Sequence, residues 1–213
     1  MDERTFQISL EKNPIISIKA TPGHFTTGSF HTNFYLDVSS LKSNALVARD
    51  VARELALPYL SSTLVDTIVC VENTKVIGAF LAEELLQEGT AVMNSGGEIH
   101  VVTPMHNTEK KLFFFDREVQ WIKNRNILLL TTTVSSGRTI NSLLECLTYY
   151  QGNIAGISTL FLSSGVMPHL NINTLFTSED IPGYRVLRSS DCELCRAGQK
   201  LDALISSEGY RMI

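Results

Sequence analysis

The stretch Ile127–Thr139, with the sequence ILLLTTTVSSGRT, decides the fold of this chain. Its first four residues are aliphatic, as expected for a parallel strand that is covered on both faces. Hydroxyl side chains follow, and Gly137 lies among them where a tight turn requires positive φ. A helical pattern comes next, with its apolar positions on one face: Ile140, Leu143, Leu144 and Leu147. The stretch therefore predicts a strand, a turn and a helix of an α/β crossover.

The turn in this crossover has the composition of a loop that binds a phosphate monoester. Backbone N–H groups and the positive end of a helix dipole favour an anion, and small hydroxyls add donors. Arg138 would add a charge-assisted contact. An ordinary βα turn uses the same residue types, so that alternative stays open. The chain has neither a G-x-x-x-x-G-K-[ST] nor a G-x-G-x-x-G motif, which disfavours an ATP loop and a nicotinamide dinucleotide site.

The same stretch resembles the phosphoribosyl-diphosphate (PRPP) motif of type I phosphoribosyltransferases. In that family a hydrophobic strand leads into two acidic residues and then a short Thr/Ser-Gly loop that ends in Thr. The resemblance implies that the 5-phosphate of PRPP is bound by Ser135, Ser136, Gly137, Arg138 and Thr139. Thr131 and Thr132 occupy the positions of the acidic pair, so the resemblance places them against the ribose. Threonine can hydrogen-bond a ribose hydroxyl, but it gives no negative charge to a cationic transition state.

A second loop follows the apolar run Val65–Val71 and precedes another helical pattern. Its backbone donors would again point towards an anion. In the family that the chain resembles, the corresponding loop binds pyrophosphate, which implies that role for Glu72, Asn73, Thr74 and Lys75. Gly78 would allow the helix to pack closely on its strand. A plain turn with a solvated Lys75 is the alternative.

The segment Phe25–Asp37, FTTGSFHTNFYLD, resembles the entry segment of orotate-type members of the family. There the segment forms a hood that touches the nucleobase. The resemblance implies hood roles for Gly28, Ser29, His31 and Tyr35. A structural or exposed histidine is the alternative for His31.

The polar stretch from Pro104 to Lys111 corresponds to the mobile loop that closes over PRPP in orotate-type members. Its candidate catalytic residues are His106, Lys110 and Lys111, since cations there would stabilise a pyrophosphate leaving group. A solvated charge cluster is the alternative. The resemblance also implies Mg²⁺ as a cofactor, bound together with PRPP.

Cys192 and Cys195 form a C-x-x-C motif near the end of the chain. Two thiolates are half of a tetrahedral zinc site, and the other half would have to come from elsewhere. A redox pair and two ordinary thiols are the alternatives. After the motif, Leu201, Ala203, Leu204 and Ile205 predict a short amphipathic helix that packs on the body of the protein.

The remaining pattern alternates between strands and helices, as a parallel sheet requires. Further elements are expected at 43–57 (helix), 77–85 (helix), 90–93 (strand), 99–102 (strand) and 154–162 (strand). The predicted fold class is α/β, with a parallel sheet flanked by helices and a small N-terminal hood. Residues 1–213 are predicted to form a single domain, with the hood in 1–40 and a C-terminal extension in 190–213.

Composition limits the classes of partner. The net charge of −4 and a pI near 5.7 disfavour nucleic-acid binding. The sequence has no apolar run long enough to span a membrane, no leader-like N-terminal pattern and only four cysteines, so a cytoplasmic location is expected.

The resemblance implies a homodimer that transfers the ribose 5-phosphate of PRPP to a nucleobase, with orotate as the first candidate. A purine phosphoribosyltransferase and a non-catalytic binder of PRPP or a nucleotide are the alternatives.

Overall fold

The computed structural model describes residues 4–27, 30–89, 92–109, 111–206 and 209–213. The strands in chain order are β1 (Phe6–Leu10), β2 (Asn13–Thr26), β3 (Phe30–Asp37), β4 (Thr67–Cys70), β5 (His100–Val102), β6 (Met105–His106), β7 (Leu112–Phe113), β8 (Asn126–Val134), β9 (Asn153–Leu162), β10 (Ile172–Thr177), β11 (Val186–Arg188), β12 (Ala203–Ser206) and β13 (Gly209–Met212). The helices are α1 (Ser39–Ser43), α2 (Ala45–Ala56), α3 (Lys75–Leu85), α4 (Asp116–Val119), α5 (Arg138–Tyr149) and α6 (Glu193–Arg196).

A five-stranded sheet in the order β10-β9-β8-β4-β5 forms the centre of the protein, and all its neighbouring pairs are parallel. We call it the central sheet. Strand β8 lies in its middle, and the four aliphatic residues at 127–130 are fully buried. The predicted parallel sheet is therefore confirmed. Strand β8 continues to Val134, so the three threonines at 131–133 belong to the strand and not to the turn.

Helices cover both faces of the central sheet. On one face, α2 and α3 pack over a core that includes Val51, Leu55, Ile77 and Leu81. On the other face, α5 and the segment 112–122 enclose a second core. The predicted close approach of α3 is also observed, because a Cβ on Gly78 would collide with the Cys70 sulfur of β4.

The hood is a second sheet of six strands, in the order β11-β3-β2-β12-β13 with β1 paired to β2. We call it the hood sheet. It contains the predicted N-terminal segment, and it also takes in three strands from the last 28 residues of the chain. The prediction of a short helix at 201–205 was wrong, because Ala203–Ser206 is a strand that pairs with Phe25 and Thr26 of β2. Ala203 is buried and Leu204 is exposed, which is the alternation of a strand at the surface.

Two shorter stretches also differ from expectation. Thr90 and Ala91 of the predicted strand at 90–93 lie outside the described residues, whereas Val92 and Met93 belong to a turn closed by a hydrogen bond from the Ser95 N–H to the Val92 carbonyl (3.2 Å). The polar stretch at 104–111 lies at a two-stranded hairpin of β6 and β7. Among the described residues, no helix has the length and apolar character needed to cross a membrane.

Candidate functional site

A cavity of about 860 Å³ opens between the carboxyl ends of β4 and β8 and the hood sheet. Its wall combines the loops after these two strands, helix α1, and residues of β3, β11 and β12. The carboxyl edge of a parallel sheet is where α/β proteins bind small ligands, because the loops that follow neighbouring strands meet there.

The turn after β8 lies on this wall, and we call residues 135–139 the phosphate loop. All five of its residues, predicted from sequence to bind a phosphate, line the cavity. Gly137 has φ 74° and forms the N-cap of α5. The positive φ favours glycine, and a Cβ at this position would lie 2.8 Å from the sulfur of Met167, so that side chain would have to move. The first turn of α5 therefore presents its backbone N–H groups at the cavity.

Glu72, from the neighbouring loop, extends its carboxylate across the end of β8. Its Oε2 accepts hydrogen bonds from the Thr131 hydroxyl (2.9 Å), the Thr132 N–H (3.1 Å) and the Thr133 N–H (3.2 Å). Its Oε1 lies 3.4 Å from the Thr139 hydroxyl of the phosphate loop. A negative charge is thus held against the two positions where the PRPP motif that the sequence resembles carries its acids.

The backbone of this loop is bent sharply so that the carboxylate can take that position. Glu72 and Asn73 have φ 56° and φ 63°, which is the left-handed region that non-glycine residues rarely adopt. Such residues cluster at functional sites, where surrounding contacts hold them in place. Here the hydrogen bonds to Glu72 supply that support, and the Thr132 hydroxyl also donates to the Glu72 carbonyl (2.8 Å).

Two of the predicted threonine contacts are not available to a ligand. Thr74 is fully buried, and its hydroxyl donates to the carbonyls of Val71 (2.8 Å) and Leu130 (3.1 Å). Thr131 is also fully buried, and its hydroxyl serves the Glu72 carboxylate. Within the described part of the chain, the cavity wall includes Thr132 but not Thr131. From the second loop it includes Glu72, Asn73 and Lys75.

Of the lysines and arginines that the structure describes, three reach the cavity wall: Lys42, Lys75 and Arg138. Lys42 of α1 donates to the Glu72 carbonyl (3.0 Å), which further fixes the bent loop. The Arg138 guanidinium lies over the Phe30 ring, 5.3 Å from its centroid. Lys42 was not predicted from the sequence, because it joins the site only through the position of α1 beside the loop after β4.

The hairpin that carries His106 and Lys111 lies away from the cavity. Neither residue is part of the cavity wall, and Lys111 forms an exposed ion pair with Glu109 (3.3 Å). The Asn107 side chain closes the turn by accepting from the backbone N–H groups of Glu109 and Lys111. The structure therefore does not bring these two candidate catalytic residues to the site, and Lys110 lies outside the described residues.

The hood side of the cavity is lined by aromatic rings and includes both described hood candidates, His31 and Tyr35. The other two, Gly28 and Ser29, lie outside the described residues. Burial, followed by the nearby Asp37 and Tyr210, raises the pKa of Tyr35. Sequence reasoning missed Tyr184, which also lines the cavity. Burial raises the pKa of Tyr184 to about 12, although hydrogen bonds with Thr32 and Ser135 act in the opposite direction.

His31 also has neighbours outside the cavity. Its Nδ1 lies 3.3 Å from the Cys195 sulfur, and its ring contacts the buried ring of His24. Burial and the neighbouring His24 lower the pKa of His31. Neither Cys192 nor Cys195 lines the main cavity, so these two thiols are set apart from the phosphate loop.

No protein-family model matches the chain, and no curated protein sequence matches it. Solved structures of phosphoribosyltransferases and of a UMP synthase do match it. The UMP synthase of Leishmania donovani aligns with a TM-score of 0.56 and 18% identity over 75% of this chain, which corresponds to 34% of the synthase. The adenine phosphoribosyltransferase of Thermoanaerobacter pseudethanolicus aligns with a TM-score of 0.53 and 15% identity, covering 75% of this chain and 95% of the transferase.

A second adenine phosphoribosyltransferase, from Leishmania tarentolae, aligns with a TM-score of 0.50 and 14% identity over 70% of this chain and 78% of its own. The chain therefore has the α/β fold of type I phosphoribosyltransferases. The chain spans about a third of the length of the UMP synthase and most of the length of the two adenine enzymes.

Proposed function

We propose that this protein is a phosphoribosyltransferase, which transfers the ribose 5-phosphate of PRPP to a nucleobase and releases pyrophosphate. One observation carries the proposal: the Glu72 carboxylate lies at the end of β8, beside the phosphate loop and on the wall of the same cavity. The loss of two acidic residues from the motif is offset by an acid from the neighbouring loop.

The phosphate loop would hold the 5-phosphate. Residues 135–139 combine the N-terminal turn of a 12-residue helix with hydroxyl donors and the Arg138 guanidinium. Such an arrangement binds a dianionic phosphate through short N–H contacts and the helix dipole. A ribose attached to that phosphate would extend along the wall towards Thr132 and Glu72.

Glu72 would then stabilise the positive charge that develops on the ribose ring. Displacement of pyrophosphate gives the sugar oxocarbenium character, and a fixed carboxylate nearby lowers the energy of that state. The carboxylate is held by the N–H groups of Thr132 and Thr133, so it needs no rearrangement during the reaction. The bond from C1 of the ribose to the pyrophosphate oxygen breaks, a ring nitrogen of the base bonds to C1, and the nitrogen's proton leaves to solvent.

Pyrophosphate would leave past the loop at 72–75, where Lys75 and Asn73 line the cavity. A cation there reduces the cost of the charge on the leaving group.

The residues present also fit a magnesium ion, which prefers one or two carboxylates together with substrate phosphates and water. Oε1 of Glu72, which within the described part of the chain contacts the Thr139 hydroxyl at 3.4 Å, is the oxygen that would hold it. When bound, magnesium would screen the charge of the pyrophosphate.

The base would lie under the hood sheet. Phe30, Phe34, Tyr35 and Tyr184 line that part of the cavity and give flat apolar surfaces for a heteroaromatic ring. Orotate is the first candidate, because the segment Phe25–Asp37 resembles that of orotate-type enzymes. Adenine, guanine and hypoxanthine are the purine alternatives.

A non-catalytic binder of PRPP or a nucleotide is the second candidate. The observation that favours it is the number of donors around Glu72: three hydrogen bonds to one carboxylate oxygen neutralise part of its charge. In that case the carboxylate would serve to shape the loop, and the cavity would bind its ligand without turnover.

The deciding experiment measures pyrophosphate release from PRPP and Mg²⁺ with orotate, uracil, adenine, guanine and hypoxanthine supplied one at a time. Release with one base establishes a transferase and identifies its substrate. No release with any base, in protein that binds PRPP or a nucleoside 5′-monophosphate by calorimetry, establishes the binder. The predicted homodimer stays a prediction, and light scattering coupled to size-exclusion chromatography measures it on the same sample.

A further inference from the structure

Four side chains of types that can bind a metal converge at one point between the hood sheet and the C-terminal segment: His24, His31, Cys192 and Cys195. We call them the Cys2His2 cluster. His24 lies on β2 and His31 on β3, whereas the two cysteines come from the short helix α6 and the residue before it. Their ligand atoms all lie within 4.8 Å of one another, although the two halves are separated by more than 160 residues of sequence.

Four of the six distances between ligand atoms in the cluster lie close to those of a tetrahedral site, and the other two are within 4.8 Å. Sulfur-to-nitrogen distances are 3.4 Å (Cys192 to His24), 3.7 Å (Cys195 to His24) and 3.3 Å (Cys195 to His31). The two ring nitrogens, His24 Nε2 and His31 Nδ1, are 3.1 Å apart. Four ligands at ordinary Zn–S and Zn–N bond lengths around one ion would be separated by about 3.3–3.8 Å.

The protein also fixes the orientation of a ligand ring. Nδ1 of His24 lies 2.9 Å from the Gln199 carbonyl, an acceptor that requires the proton to be on Nδ1. Nε2, which faces the cluster, is then left with its lone pair directed at the other three ligand atoms. Outer hydrogen bonds of this kind are the usual way in which a protein orients a metal-binding histidine.

We propose that the Cys2His2 cluster binds one zinc ion as a structural site. Two thiolates and two imidazoles in tetrahedral geometry are the donor set of zinc, and four protein ligands leave no position open for a substrate. The histidines therefore complete the half site that the C-x-x-C motif indicates. His24 and Cys192 are almost fully buried, while Cys195 lies at the surface, which gives the ion a path of entry.

The site would hold the hood wall in place beside the cavity. His31 is both a zinc ligand and a residue of the cavity wall, and Val186 of β11 and Ile205 of β12 line the same cavity on either side of the cysteines in sequence. The ion would tie the end of the chain to the N-terminal strands that it pairs with. This proposal does not depend on the reaction proposed above.

The test is the metal content of the full chain, purified under reducing conditions without chelators and measured by plasma mass spectrometry. We expect about one zinc per chain, and we expect Co²⁺-exchanged protein to show thiolate charge-transfer bands and the d–d bands of a tetrahedral ion. Cys192→Ser with Cys195→Ser should lower the zinc content at least tenfold. Cys146→Ser is the matched control, because Cys146 is a buried thiol outside the cluster, and it should keep one zinc.

Three results would overturn the assignment. The first is wild-type protein that carries no zinc and takes up no Co²⁺. The second is a Cys192–Cys195 disulfide in protein prepared with reductant. The third is zinc retained at full occupancy in the double cysteine variant. Stoichiometric iron in place of zinc would overturn the identity of the ion. If the double variant does not fold, the Co²⁺ spectrum of the wild-type protein still decides, since thiolate charge-transfer bands require cysteine ligation.

Discussion

Replacing Glu72 by glutamine removes one charge and leaves the shape of the loop unchanged. The glutamine oxygen can take the place of Oε2 and accept from the same three donors, Thr131 Oγ1, Thr132 N–H and Thr133 N–H. Glu72→Gln is therefore a test of the charge, whereas Glu72→Ala also removes the acceptor.

The expected magnitudes differ between stability and rate. A hydrogen bond to a charged group contributes about 1.5–3 kcal/mol and a neutral one about 0.5–1.5 kcal/mol. Because Glu72 is half-buried and faces a cavity that admits water, we expect Glu72→Gln to lower the free energy of unfolding by only about 1 kcal/mol. Loss of a preorganised electrostatic contact to a transition state typically lowers kcat by about 10²–10³-fold, and we expect that loss here.

Urea unfolding gives the stability of each variant, and pyrophosphate release at saturating PRPP gives kcat. Calorimetry with a nucleoside 5′-monophosphate should show an affinity within about threefold of wild type, because the phosphate loop is unchanged. Glu109→Gln is the matched control, since Glu109 is an exposed carboxylate paired with Lys111 outside the cavity. A kcat within twofold of wild type in a folded Glu72→Gln protein would refute the role of the charge.

Three further outcomes follow from the same site. Gly137→Val should reduce the affinity for a nucleoside 5′-monophosphate by at least tenfold by calorimetry, because φ 74° is unfavourable for valine and a Cβ would lie 2.8 Å from the Met167 sulfur; unchanged affinity would contradict the phosphate loop. Thr131→Asp should lower the free energy of unfolding at pH 7, because the Thr131 hydroxyl lies 2.9 Å from the Glu72 carboxylate and two carboxylates so close repel by up to about 4 kcal/mol. Urea unfolding should show a smaller loss of stability when Glu72→Gln is combined with Thr131→Asp. The pKa of Tyr184 is about 12 in the folded protein and about 10 in the unfolded chain. The side chain therefore contributes its full stabilisation below pH 10, and this contribution is lost as the pH rises from 10 to 12. Tyr184→Phe should make the free energy of unfolding fall less steeply over that range.

The architecture was predictable because its signals are local. The aliphatic run at 127–130 is buried on both faces, and its length and flanking hydroxyls marked it as a central parallel strand. Gly137 marked the turn for an equally local reason, since the backbone there takes positive φ. The helix predicted over 43–57 is observed as α2, which begins after Asn44, whose side chain accepts from two N–H groups of the helix; the preceding short helix α1 was not predicted.

The last part of the chain was not predictable from local pattern. Ala203–Ser206 has too few residues to distinguish a strand from a helical turn, and what decides between them is the backbone of β2, far away in sequence. The same holds for the proposed zinc ligands. Nothing around His24 in sequence indicates a metal, and it becomes a candidate only because the hood sheet brings it 3.4 Å from the Cys192 sulfur.

For the proposed reaction, the position of the negative charge matters more than which residue of the motif carries it. Thr131 and Thr132 in place of two acids indicate a loss of negative charge when the motif is considered alone. The bend at Glu72 and Asn73 returns a carboxylate to the same place from a residue 59 positions earlier, and the two threonines are among the groups that hold it. Threonine suits that role because a hydroxyl donates to a carboxylate, whereas an aspartate there would repel it. The substitution in the motif and the acid in the neighbouring loop are therefore two halves of one arrangement, and a sequence comparison that scores the motif by itself detects only the half that was lost.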